Sequence, residues 1–210
     1  MNIVLGKVGQ VFGQKRAYFL LLMIMFCLGI SCGIYTVGFM PESDRNDLIN
    51  YFNSFIGSMQ SQNISYAELL FNVIKKNLIL IVPIFIFSLF YFGAPFILIM
   101  NLIKGFFLGY TFSFIVNSFK GKGLVLAFAS ILPQNLIYIP CFIGISIIAL
   151  ALSVNKFKIK ILKVRNSHDF FIENSGFRMI IFLCILIFGI VVETYFSPQL
   201  IKFVVLKFYS

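Results

Sequence analysis

The sequence predicts an all-α fold, a polytopic transmembrane helix bundle of about five spans, with a broken fourth helix and an interfacial elbow before the third. Three observations lead there. Apolar residues make up 60% of the 210 residues and charged ones 11%, against roughly 45–50% and 25% in a soluble domain. A soluble fold of this size has too little interior to hide that much hydrocarbon, so lipid must cover the remainder. The apolar residues also form long uncharged runs, and the basic residues sit mostly at run ends and in one loop. With 28 Phe, 9 Tyr and no Trp, any aromatic belt at the membrane surfaces is built from Tyr and Phe.

The first run, Ala17–Phe39, is uncharged over its whole length. As a helix it covers about 34 Å, enough to cross a hydrocarbon core of roughly 30 Å. It exceeds a typical signal-peptide core and has no small-x-small cleavage pattern directly after it, so it reads as a span. Gly29-x-x-x-Gly33 within it suits close approach of another helix.

Residues 40–77 form the one sizeable polar stretch before the second span. Leu48, Tyr51, Phe52, Phe55 and Met59 recur there with helical spacing, and Asp44, Asp47, Asn50 and Asn53 lie between them. This is an amphipathic helix whose apolar stripe needs a membrane surface or a partner. Ser65-Tyr66-Ala67-Glu68 fits a capping box, so a second helix is expected to start near Tyr66 and feed through Lys75 and Lys76 into span two, 78–92. These helices either cover the rim of the bundle or offer a docking surface, with Leu48, Phe52 and Phe55 as its candidates.

Gly93-Ala94-Pro95 interrupts the apolar pattern before Phe96–Ile103, Lys104 and Gly105–Phe119. Either Pro95 opens one long third span that carries Lys104 within it, or 96–103 is an elbow and the span is 105–119. The cost of a charge at a span's centre favours the elbow, or a tilt that lets Lys104 snorkel. Gly105 and Gly109 form a second small-residue face.

Leu124–Ser153 runs for 30 residues without a charge, too long for one untilted span. Pro133 followed by Gln134 and Asn135 marks a place where helix hydrogen bonding is lost and must be replaced. The expectation is a half-helix at 124–132 and span four at 133–153, with the two amides capping the break or bonding to a neighbour. A basic loop follows at 155–178, then span five at 180–196 with Glu193 near its end. The tail 199–210 is expected to lie in the interface.

Placing the amino terminus in the cytoplasm puts ten basic residues inside and seven outside, and four of the acids, Glu42, Asp44, Asp47 and Glu68, fall outside. The orientation expected is therefore amino terminus inside and carboxyl terminus outside, with 40–77 extracytoplasmic and 155–178 cytoplasmic.

The net charge of +10 follows this topology, and no basic motif on a soluble element points to nucleic acid. Cys27, Cys32, Cys141 and Cys184 all fall inside apolar runs, where thiols act as small packing residues, and their spacing matches no zinc signature. The single His168 lies beside Asp169 in the basic loop. No zinc-protease pattern, nucleophile elbow or P-loop is found, and no acid pair lies within a span. No catalytic, cofactor-binding or metal-ligating residue is assigned, and the expectation is that the chain is not an enzyme. Glu193 is either a functional intramembrane acid or a group reaching the headgroups.

Two stretches carry a resemblance: Lys104-Gly105-Phe106-Phe107-Leu108-Gly109-Tyr110-Thr111 and Leu132-Pro133-Gln134-Asn135-Leu136-Ile137-Tyr138-Ile139-Pro140. In this order, after an amino-terminal span and an amphipathic loop, they resemble the stage II sporulation protein M family. Length, span number and the late Glu193-to-Pro198 stretch agree. The resemblance implies a multi-pass protein of the mother-cell or septal membrane that works in forespore engulfment. It implies an anchor for two peptidoglycan-degrading partners, an amidase and a lytic transglycosylase. The competing reading is a permease-like transporter subunit, which the elbow and the broken helix would suit.

Overall fold

The computed structural model describes the backbone of residues 2–61, 65–118, 123–161, 163 and 175–209. Side chains are described for 16–50, 54, 65–118, 123–161, 163 and 175–200. The described residues form six helices and no strand: α1 (Asn2–Gly38), α2 (Glu42–Ser61), α3 (Tyr66–Ser88), α4 (Gly93–Ser118), α5 (Gly123–Lys160) and α6 (Ser175–Tyr209). Five contain stretches long and apolar enough to cross a membrane, Arg16–Gly38, Tyr66–Ser88, Gly93–Ser118, Gly123–Lys160 and Ser175–Leu200. The all-α polytopic bundle expected from composition is therefore what the chain forms. The helices start earlier than the predicted spans: α1 and α3 extend into polar flanks, while α4 and α5 absorb the apolar segments 96–103 and 124–132.

The tightest contact joins α1 to α4. A Cβ placed on Gly29 would run into the Leu102 carbonyl, and one on Gly33 into the Phe106 carbonyl. Reciprocally, a Cβ on Gly105 would meet the Phe26 carbonyl and one on Gly109 the Ile30 carbonyl. The two Gly-x-x-x-Gly faces found separately in the sequence therefore oppose each other, and each lets the other backbone approach.

The third span, α4, contains no elbow. Pro95 sits in the first turn of α4, where its missing N–H costs nothing, and the helix continues unbroken through 96–103 and Lys104. Residues Ile97 and Asn101 of the expected elbow are fully buried. The elbow rests on the cost of exposing Lys104 to lipid, but the ammonium faces inward, over the rings of Tyr138 at 5.5 Å and Phe142 at 5.9 Å.

Nor is the fourth span broken. α5 runs through Pro133 and Pro140 as one 38-residue element. Away from water, leaving the helix would free many more amides than the proline removes. The turns beside Pro133 are braced by side-chain donors: the Ser130 hydroxyl to the Leu126 carbonyl (2.8 Å) and the Asn135 amide to the Ile131 carbonyl (2.8 Å). α5 is also the enclosed helix, with 67% of its most apolar stretch buried against 33% or less in the other spans. α6 likewise carries Pro198 inside a continuous helix.

One core, which includes Ile81, Ile97, Tyr138, Ile145, Leu150 and Leu186, joins α3, α4, α5 and α6. A second, around Val37, Phe114, Leu126 and Ile131, closes the end of the bundle where α2 lies. Leu48 and Ile49 of α2 pack against it. At the opposite end, α5 holds the α3–α4 turn: the Ser153 hydroxyl donates to the Phe90 carbonyl (2.9 Å) and Lys156 Nζ to the Leu89 carbonyl (3.0 Å). Ser65 occupies the N-cap position of α3 as the sequence indicates, without a side-chain capping bond.

The glycine seam gives a direct test. Gly105→Ala should lower the thermal midpoint in detergent, by the equivalent of about 1–3 kcal/mol for overpacking. Gly38→Ala, where a Cβ meets nothing within 4 Å, should leave it nearly unchanged. Equal midpoints for the two variants would contradict the seam.

Candidate functional site

An apolar bundle has no reason to enclose ionisable groups, so those it does enclose locate the site. Buried polar residues gather between α3, α4, α5 and α6: Asn77, Asn101, Lys104, Ser146, Glu193 and Thr194. Each is placed by the helix that carries it. Asn77 and Asn101 each return an amide to the carbonyl four residues back, Val73 (2.9 Å) and Ile97 (2.8 Å). Asn101 also donates to the Ser146 hydroxyl at 2.9 Å, tying α4 to α5.

Glu193 is 8% exposed. One of its oxygens lies 3.6 Å from Lys76 Nζ of α3, and the other is buried without a hydrogen-bond partner among the described residues. Its carboxylate adjoins the Tyr138 hydroxyl, which also neighbours Asn77. Lys104 feels the charges of both Lys76 and Glu193, but among the described residues no carboxylate lies within 4.0 Å of it. The Lys76–Glu193 pair joins a largely exposed cation to a largely buried anion, so the lysine is partly screened by its surroundings. The Glu193 side of the pair is the stronger constraint, since withdrawing Lys76 would leave a buried carboxylate alone.

On its outer side this cluster opens into a cleft of about 450 Å³ between α3, α4 and α5. Its polar wall is Asn72, Lys75, Lys76, Lys104, Gln134 and Asn135, and Ile79 and Phe107 stand among its apolar lining. Behind Lys104, the gap bounded by Asn77, Tyr138, Phe142 and Leu186 has no room for a water-sized sphere. Lys104 thus sits between a dry interior and an open cleft.

The structure brings together several residues singled out in the sequence and separates others. Gln134 and Asn135 form part of the cleft wall, and Gln134 Oε1 accepts a hydrogen bond from Ser197 of α6 at 3.3 Å. Their position next to Pro133 does not cap a helix end. Glu193 is buried in the bundle and pairs with Lys76. Gly105 and Gly109 belong to the seam with α1 and not to the cleft. Leu48 packs on the rim. Phe52 and Phe55 lie on α2, but their side chains are outside the described residues, as are His168 and the rest of 164–174. Sequence reasoning assigns no role to Asn77 or Asn101, and it names Tyr138 only within a stretch that carries the resemblance. The available signal is that amides and opposite charges occur in separate apolar runs at depths that helical rise makes comparable.

Among the described residues no group of three or more His, Cys, Asp or Glu is arranged to hold a metal ion. What the cluster does is tie α3, α4, α5 and α6 together.

Continuous spans, a glycine-packed helix pair and charged groups held inside the bundle define a multi-pass helical membrane protein. Its residues 20–198 match the family described as Stage II sporulation protein M. The chain belongs to that family, which makes it a sporulation-related membrane protein. No curated protein and no solved structure matches it.

Asn101→Ala should cost about 1–3 kcal/mol, because it removes a fully buried bond and strands its partner. Adding Ser146→Ala should then cost little more, and fully additive losses in detergent melts would show that the pair is not coupled. Replacing Gln134 and Asn135 together with Leu should leave membrane insertion intact while shifting α6 against α5 and lowering spore yield. Normal sporulation in that double variant would deny the two amides any special role.

Proposed function

We propose that the chain is a non-enzymatic membrane anchor for a peptidoglycan-degrading complex in forespore engulfment. The observation that carries this reading is α2: a polar helix fastened by Leu48 and Ile49 to the end of a membrane bundle, in a member of this family. Its exposed stripe is Asp44, Asp47, Asn50 and Ser54, an acidic face that lipid cannot cover and water can.

The orientation belongs to the same proposal. With the amino terminus cytoplasmic, α2 lies outside, on the side of the cell wall, and the lysine-bearing end of α5 lies inside. An amidase and a lytic transglycosylase held at α2 would then act on peptidoglycan ahead of the moving mother-cell membrane. The anchor supplies position and the enzymes supply chemistry. Because Leu48 is engaged with the bundle, the acidic stripe is the better docking candidate of the two faces of α2.

A pull-down from sporulating cells tests this. The intact chain should recover the two hydrolases, and Asp44→Lys with Asp47→Lys should lose them while still inserting into the membrane. Hydrolases absent from the intact chain's eluate would sink the anchor reading. The cleft favours a second reading, a permease-like subunit of a transporter, and recovery of an ATPase in place of hydrolases would select it.

A further inference from the structure

We propose that the cleft between α3, α4 and α5 binds an anionic phospholipid, with its phosphate held by Lys75, Lys104 and the Gln134 side chain. This does not rest on the anchor reading. The cleft collects three lysines, Lys75, Lys76 and Lys104, and the nearby acid, Glu193, is already engaged by Lys76. Lys75 and Lys104 have no carboxylate within 4.0 Å among the described residues. A buried ammonium without an anion beside it is costly in a bilayer, and an anionic ligand in the cleft would complement it.

The shape selects a lipid over a water-borne anion. Ile79 and Phe107 at the cleft are 62% and 54% exposed, on the same outer surface as the large apolar residues of the spans. The cleft therefore opens sideways toward the bilayer. A phosphate and glycerol fit its volume, and an acyl chain leaves over Ile79 and Phe107 into the surrounding lipid. Basic pockets between membrane helices recognise headgroups in this way. The Gln134 amide nitrogen is a suitable donor, since its carbonyl oxygen is the atom that accepts from Ser197.

The test uses the full chain purified in a neutral detergent, with phosphatidylglycerol, phosphatidylcholine and inorganic phosphate as probes. Binding is read by native mass spectrometry and by thermal shift. Phosphatidylglycerol should bind more tightly than phosphatidylcholine and raise the midpoint. Lys104→Gln should weaken it about tenfold, and Lys75→Gln, at an exposed position, about fivefold. Lys158→Gln, which removes the same charge at the opposite end of α5, should have no effect. Equal binding of both lipids, equal protection by inorganic phosphate, or indifference to Lys75→Gln and Lys104→Gln would each overturn the proposal.

Discussion

In a bilayer the hydrophobic effect does not hold helices against one another, because lipid tails are as apolar as the side chains they would replace. Contact must come from close packing and from polar groups with nowhere else to go. In this chain the first condition is met at the α1–α4 seam, where Gly29 and Gly33 face Gly105 and Gly109. The seam fixes α4, and α4 carries Asn101 and Lys104. Any shift of that helix would take the amide away from Ser146 and turn the ammonium from the rings of Tyr138 and Phe142 toward lipid.

The polar groups then complete what the glycines begin. Asn101 with Ser146 links α4 to α5, Lys76 with Glu193 links α3 to α6, and Ser197 with Gln134 links α6 to α5. Three of the four spans around the central helix are thereby fastened to a neighbour. The arrangement leaves an excess of positive charge on one side, where the bundle is open. Stability and ligand attraction are in tension at that place. Buried ion pairs are often no more stabilising than well-packed apolar residues, so the charges add little to the stability that packing already gives.

Placing α2 at the rim gives the bundle a surface that differs from its flanks. The flanks are Phe, Ile and Leu exposed to lipid, while α2 turns acids and amides outward. Membership of the Stage II sporulation protein M family gives this asymmetry a context. Among the described residues α2 is a polar helix set against the spans, and Leu48 and Ile49 tie it to the cluster around Val37 and Leu126.

Much of the architecture is legible in the sequence because it depends on length and hydropathy. The spans, the amphipathic character of 42–61, the start of α3 near Tyr66 and both glycine faces can be read from spacing alone. The elbow and the broken helix fail for one shared reason. Read along the chain, Pro133 and Lys104 each stand in lipid on their own. Whether a proline breaks a helix or a lysine expels one from the membrane depends on what packs against it, and that is a property of neighbours distant in sequence. The amino-acid sequence by itself determined that the chain is an apolar, all-helical bundle with five runs long enough to cross a bilayer, since transfer from water to lipid sums residue by residue. Only the tertiary structure decided that Gly29 meets Gly105's helix and that Lys104, Tyr138 and Glu193 share one interior beside a cleft, because close packing and paired charges exist only between helices already brought together.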